Sequence, residues 1–240
     1  MTRAELISAV ALRMDEITPT NGVVIGVDGS DNNPLSTLIN GLIDAGVLEL
    51  YSIAPYWRLP QTAFVYDDED ASKNEILFAK VFTDTAYERW IIRLKVNDKF
   101  LRVAEIPGPW FNRPIVEVFP EQSEEGRRQH NPYLVGKEVK PVGVMSHGIW
   151  SDDSHCREID CYSLSPDTLD GDEMDNVVAS YIAKPNTISD TVGSVVSVES
   201  VVPPVLIPAL EWLIAARTFG ARGDTNHAAI CQQNAQNLLV

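Results

Sequence analysis

Hydrophobic positions fall into three regimes along the chain. Over residues 2–17, Leu6, Val10, Met14 and Ile17 recur at helical spacing, which gives a helix one apolar face. Thr2 stands three residues before Glu5, the spacing of a capping box. Residues 18–34, TPTNGVVIGVDGSDNNP, carry the Pro, Gly and Asn-Pro breakers of a loop. A second helix is expected from Pro34 to about Ile53. Pro34 suits a first helical turn, with Asn33 as its candidate cap. Leu35, Leu38, Ile39, Leu42, Ile43, Val47 and Leu50 form its broad apolar stripe. Gly41 and Gly46 weaken this helix in isolation, so packing must hold it. APYWRLP at 54–60 ends it.

From about residue 62 to 202 the apolar signal shortens into runs broken by turns. TAFVY, EILFAKVFT, RWIIRLKV, FLRVAEI, PIVEVF, KPVGVMS, EIDCYSL, VVASYIA and GSVVSVES read as strands, with VNDKF at 96–100 as a hairpin turn. Helical spacing then returns. Val205, Leu206, Leu210, Leu213, Ile214 and Phe219 mark one helix, stopped by Gly220 and Gly223. Asp224 or Thr225 can cap a last helix running through Leu239. The expected class is α+β. A small helical bundle is built from the N- and C-terminal helix pairs, residues 1–60 and 203–240. A large antiparallel β insertion, sandwich- or barrel-like, spans 61–202. No internal repeat of solenoid period is present.

Composition narrows the function classes. The chain has 240 residues, 45% apolar and 22% charged, enough to bury a core without staples. Thirty-four acids against 19 bases give a net charge of −15. Such a surface repels phosphates and argues against tight nucleic-acid binding. Three cysteines, Cys156, Cys161 and Cys231, are too few and odd for a disulfide framework and read as reduced thiols. The opening MTRAELISAVALRMDEI lacks the apolar run of a signal peptide, and no stretch approaches about 18 continuous apolar residues. The expectation is a soluble, unexported chain.

No segment carries a strong catalytic pattern. SHGIWSDDSHCREIDC gathers His147, Asp152, Asp153, His155, Cys156, Asp160 and Cys161, but without tetrahedral ligand spacing. The alternation in EIDCY instead places Ile159 and Cys161 on one strand face as core. DGSDNNP (Asp28, Ser30, Asn32) puts Asn33 where a calcium loop needs its turn glycine, and DTLDGDEMD (Asp170, Asp172) lacks the remaining ligands; both read as solvated turns. There is no nucleophile elbow, Walker loop or dinucleotide fingerprint. Carboxylates such as Glu117 and Glu121 read as solvent-facing. The expectation is no enzyme, with no catalytic residue, cofactor or metal. Tyr56, Trp57, Trp110, Phe111 and Trp150, in or beside loops, are candidate interface anchors.

One stretch departs from the acidic background. EGRRQHNPYLVGKEVKP at 125–141 gathers Arg127, Arg128, Lys137 and Lys140 among Pro132, Gly136 and Pro141. It is neither apolar enough for core nor periodic enough for a long helix. Taken alone it is a solvated loop.

Four stretches together are similar to the head-to-tail connector proteins of tailed bacteriophages, also called neck, adaptor or ring proteins, most of all those of crAss-like phages of gut Bacteroidales. They are MTRAELISAVALRMDEI, LINGLIDAGVLELYSIAPYWRLP, RPIVEVFPEQSEEGRRQHNPYLVGKEVKPVGVM and LIPALEWLIAARTFGARGDTNHAAICQQNAQNLL, about half of the chain. Residues 66–90 and 146–176 have no counterpart in the resemblance. The resemblance implies a structural protein that forms a homo-oligomeric, twelve-fold ring beneath the portal. Such a ring extends the DNA channel without specific DNA binding, meets the portal and other neck or tail rings, and has no membrane partner. It implies assembly in the bacterial cytoplasm and residence in the virion neck. It also makes 125–141 an assembly loop, with Arg127, Arg128, His130, Asn131, Tyr133 and Lys137 toward a neighbouring subunit. Gln232, Gln236, Leu238, Leu239 and Val240 become the portal contact. A closed ring needs two different, complementary patches on each subunit, and a basic segment in an acidic chain supplies such a pair. The alternative is a carbohydrate-binding, receptor-binding β-sandwich module of the tail, dependent on Trp110 or Trp150.

Overall fold

The computed structural model describes residues 1–17, 34–66, 75–81, 89–105, 117–129, 142–149, 155–162, 180–191 and 194–240. The chain is α+β and divides into two compact units. A helical unit takes Met1–Pro60 and Lys184–Val240, and a β unit takes Gln61–Ala183. The sequence placed the second boundary at 203; in the structure the helical unit also includes residues 184–202.

The helical unit is centred on one helix. Helix α1 is Arg3–Ile17 and α2 is Pro34–Ile53. The capping box at the start of α1 is reciprocal: the Glu5 N–H donates to Thr2 Oγ1 at 3.1 Å and the Thr2 N–H donates to Glu5 Oε2 at 2.7 Å. Near the C-terminus, α5 is Ile207–Ala221 and α6 is Thr225–Leu239. Helix α5 packs against α1, α2 and α6. It is buried almost all round, from Ile207, Leu210 and Leu213 to Trp212, Ala215 and Phe219, as a central helix must be. Leu6, Val10 and Met14 of α1 and Ile39, Ile43, Val47 and Leu50 of α2 are buried in the same unit. The two terminal helix pairs therefore form one bundle.

Arginines join the elements of this bundle. Arg13 of α1 donates to Glu211 of α5 at 2.9 Å and lies 5.3 Å over the Trp212 ring. Arg217 of α5 donates to Glu49 of α2 at 2.6 Å. Arg3 donates to Asn40 Oδ1 at 2.6 Å and to the Ile188 carbonyl at 2.6 Å. Because Glu211 is buried, Arg13 is what makes its charge tolerable there. The bundle is completed by a short hairpin, β10 (Ser189–Thr191) with β11 (Ser194–Val196), and by a single helical turn, α4 (Val198–Val201), capped by Ser197. The Tyr51 hydroxyl donates to the Val201 carbonyl. Val205, expected on the apolar stripe, sits in a 3₁₀ turn before α5 and is 65% exposed.

In the β unit the described strands form two sheets and close no barrel. One is a three-stranded antiparallel sheet of order β1 (Thr62–Ala63), β9 (Ser180–Ala183), β5 (Phe100–Glu105). Phe64, Phe100 and Tyr181 cluster there, with ring centroids 4.9–6.4 Å apart. The other is a six-stranded sheet of order β2 (Val65–Tyr66), β3 (Glu75–Val81), β4 (Arg89–Val96), β8 (His155–Tyr162), β7 (Val142–Ile149), β6 (Glu117–Pro120). Its four inner strands pair antiparallel, but β2–β3 and β6–β7 are parallel. The expected antiparallel, sandwich- or barrel-like insertion is thus corrected in its detail: the described strands form one open mixed sheet and one small antiparallel sheet. VNDKF does form a turn, in which Asn97 Oδ1 accepts the Lys99 N–H at 2.9 Å. It is not a hairpin turn, because β4 and β5 join different sheets.

The centre of the mixed sheet is buried on both faces. Leu94 and Ile159 are opposite each other on one face, both fully buried. On the other face Arg93, Asp160 and Val144 form a row across β4, β8 and β7. Arg93 grips Asp160 with both forks, Nε to Oδ1 at 2.6 Å and Nη2 to Oδ2 at 2.9 Å. Its Nε also lies 3.5 Å from Glu158 Oε2, two residues along the same strand face.

Candidate functional site

The basic stretch begins on an ordered helix. Glu124–Gln129 form α3, a six-residue helix after β6. Ser123 builds its start: Ser123 Oγ accepts the Gly126 N–H at 3.0 Å and donates to the Pro120 carbonyl at 2.7 Å. The Ser123 carbonyl accepts the Arg127 N–H at 3.0 Å. Gly126 is buried, and a Cβ on it would lie 2.5 Å from the Pro120 carbonyl oxygen and 2.8 Å from that of Glu121. Only glycine lets the helix lie so close to the turn before it. The Glu121 N–H donates to the Met145 carbonyl at 3.1 Å, fixing the turn to β7. Glu124 and Glu125 occupy the first turn and Arg127 and Arg128 the last, the order the helix dipole favours. Arg127 and Arg128 are exposed. The structure therefore turns the first part of an expected loop into a short, anchored helix with a basic pair at its surface. His130, Asn131, Tyr133 and Lys137 lie outside the described residues.

The second set of candidates lies on α6. Asp224 caps it, accepting the His227 N–H at 3.2 Å on Oδ1, while His227 Nδ1 lies 2.5 Å from Oδ2. The His227 ring packs on Phe219 at 5.4 Å. The hydrogen bond from His227 holds the Asp224 carboxyl below the usual aspartate value. A depressed carboxyl stabilises the fold above its unfolded-state value and loses that contribution as the pH falls through the folded-state value. Helix α6 should therefore loosen as the pH drops below the ordinary aspartate value of about 3.9. In a His227→Ala variant, amide exchange in the first turn of α6 should rise at a higher pH than in the parent. An unchanged acid profile would contradict this role for the pair.

Cys231, Ala235 and Leu239 form the narrow buried side of α6. Burial pushes the Cys231 thiol up to about 11, which leaves it a packing residue with little thiolate. Leu239 thus belongs to the bundle interior, whereas Gln232, Gln236, Leu238 and Val240 are exposed. The end of α6 is held in place: Arg58 donates to the Leu238 carbonyl at 3.0 Å and to the Val240 oxygen at 2.9 Å. Beside Arg58, Trp57 is 66% exposed and meets Tyr56 edge-on at 5.2 Å. Leu238 and Val240, whose carbonyl oxygens Arg58 holds, are also exposed, at 43% and 98%. Nothing in the spacing of WRLP showed that its arginine reaches residues about 180 positions away.

The other candidates separate clearly. Asp160, drawn from the His/Cys/Asp-rich segment, is the ion-pair partner of Arg93. Among the described residues no group of His, Cys, Asp and Glu could hold a metal ion. Asp152, Asp153, both calcium-like loops, Trp110, Phe111 and Trp150 lie outside the described residues. Among the described residues no helix is long and apolar enough to cross a membrane. No family model matches the chain, and no curated protein matches its sequence.

Proposed function

We propose that this chain is a structural protein of a tailed-phage neck, copies of which close into a ring that joins the portal to the tail and extends the DNA channel. The observation that carries this reading is the exposed basic pair Arg127–Arg128 on an anchored helix, in a chain of net charge −15. Arginine forks on one subunit facing carboxylates on the next make a head-to-tail contact, which closes by rotation. The resemblance of four sequence stretches to connector proteins supports the same reading. An acidic channel wall would let the DNA backbone slide, since a basic wall would hold it. The exposed end of α6, with Trp57 beside it, is the surface this reading gives to the portal.

Reversing both charges, Arg127→Glu with Arg128→Glu, should abolish ring formation while leaving the circular dichroism spectrum unchanged. Parent rings should also weaken between low and 0.5 M salt, because contacts between exposed charges are screened. Rings that survive charge reversal would remove α3 from the contact.

A further inference from the structure

Helix α3 carries opposite charges on opposite flanks. It is anchored at Gly126, which is buried against the Pro120 and Glu121 carbonyls. Successive residues turn by about 100°. Glu125 and Arg127, on either side of Gly126 in sequence, therefore stand about 160° apart around the axis. Each projects sideways from the anchored edge, and both are exposed. Glu125 has Arg128 three residues on, and Arg127 has Glu124 three residues back, the spacing of ion pairs within a helix. Among the described residues, however, neither Glu125 nor Arg127 makes an ion pair. Arg127 Nε instead donates to the Ser123 carbonyl at 3.4 Å.

The geometry points to the partner of Arg127: the Glu125 carboxylate on α3 of the next copy around the ring. The pairing rests on the ring reading and names the group on the far side of its contact. A head-to-tail contact joins two different, complementary patches of one chain. In a ring of many members those patches must face nearly opposite ways, as the two flanks of α3 do. Charge makes the choice narrower. The chain has 34 acids against 19 bases, so Arg127 could find a carboxylate on many surfaces. The exposed Glu125 flank sets the stricter demand, a base presented by a neighbour of net charge −15. Arg127 meets that demand from the same helix, and its guanidinium fork suits a carboxylate. Ser123 and Gly126 fix the start and the anchored edge of α3. One rotation therefore brings Arg127 to Glu125 at every subunit boundary.

Assembly against concentration, followed by particle mass, tests the pairing. Arg127→Gln and Glu125→Gln, which keep the side-chain length, should each raise the concentration for half-assembly by about tenfold. Glu125→Arg sets like charges against each other and should abolish rings, as the arginine reversal does. The double variant Glu125→Arg/Arg127→Glu exchanges the two flanks and should restore them. Mixing Glu125→Arg chains with Arg127→Glu chains should also restore rings, with the two variants alternating. A purely structural role for these residues would give neither rescue. If either Glu125 variant assembles as the parent does, or if neither the exchange nor the mixing restores rings, Arg127 meets some other carboxylate. The Arg127–Glu125 pairing is then overturned while the ring reading stands. A parent that forms no ring, or rings that survive Arg127→Glu/Arg128→Glu, would overturn the α3 contact itself and this pairing with it.

Discussion

Replacing Gly46 with valine should lower the melting temperature by about 5–10 °C, for a loss of roughly 2–3 kcal/mol. At Gly46, α2 lies close against α5. A Cβ there would meet Ile214 Cγ1 at 2.6 Å, with Ile214 Cδ1 and Leu210 Cδ1 at 3.6 and 3.7 Å. Cγ1 is held near the backbone of a buried, branched side chain, so it cannot swing clear cheaply. Either α2 and α5 move apart or Ile214 leaves its rotamer, and both disturb a close-packed interior. Gly41 supplies the control on the same helix. It is exposed and a Cβ there meets nothing within 4 Å. Gly41→Ala should therefore stabilise by about 0.5–1 kcal/mol through helix propensity. Thermal melts of the two variants should move in opposite directions. A Gly46→Val variant as stable as the parent would mean that the helices do not approach at this point.

Removing Arg93 should strongly destabilise the β unit. Arg93→Leu leaves Asp160 mostly buried without its two-fork partner and leaves Glu158 beside it on the same face. Breaking such a pair from one side costs on the order of 2–4 kcal/mol, because a charge remains in a poorly hydrated place. Asp160→Asn, which removes the charge and keeps the shape, should cost less. The double variant Arg93→Leu/Asp160→Leu should recover part of the loss, since paired charges can be replaced together at little cost. Urea unfolding of the single and double variants gives the coupling directly. Additive losses would show that the two residues act separately and would remove this pair as the lock on the β4–β8 register.

The long helices were legible because each carried several agreeing signals. In α1 the Thr2–Glu5 spacing, in α2 Pro34, and in α6 Asp224 marked starts, and apolar residues at a period of 3.6 marked the faces. That the four helices share one bundle followed from neither terminal pair having enough apolar surface to fold alone. Most strand runs were legible as strands, although the end of GSVVSVES forms the helical turn Val198–Val201; their partners were not legible. Asn97 makes the same local turn whether the next strand pairs with the last or leaves for another sheet. The parallel pairings of β2 and β6 arise between segments whose own patterns carry no direction. Arg93 and Asp160 are 67 positions apart, so only folding reveals the ion pair inside what read as a ligand-rich segment. Helix α3 was hidden by its length, since six residues show no period. What identifies it is contact: Ser123 at its start and Gly126 against the Pro120 carbonyl. Leu239 was expected in the portal contact because the resemblance marks the whole end of the last helix; one step of about 100° around α6 from exposed Leu238 turns it inward.

The ring reading joins these features. It uses α3 as one side of a subunit contact and the α6 end with Trp57 as the surface toward a neighbouring protein. Both are small parts of a chain of net charge −15, and copies that repel one another overall should associate at few places. The most direct test is negative-stain electron microscopy of the purified chain, alone and mixed with a connector-type portal ring, with particle mass measured in parallel. The account expects closed rings of many subunits with an open centre, formed alone or on the portal. Only single subunits, with no ring in either sample and no binding to the portal, would contradict it.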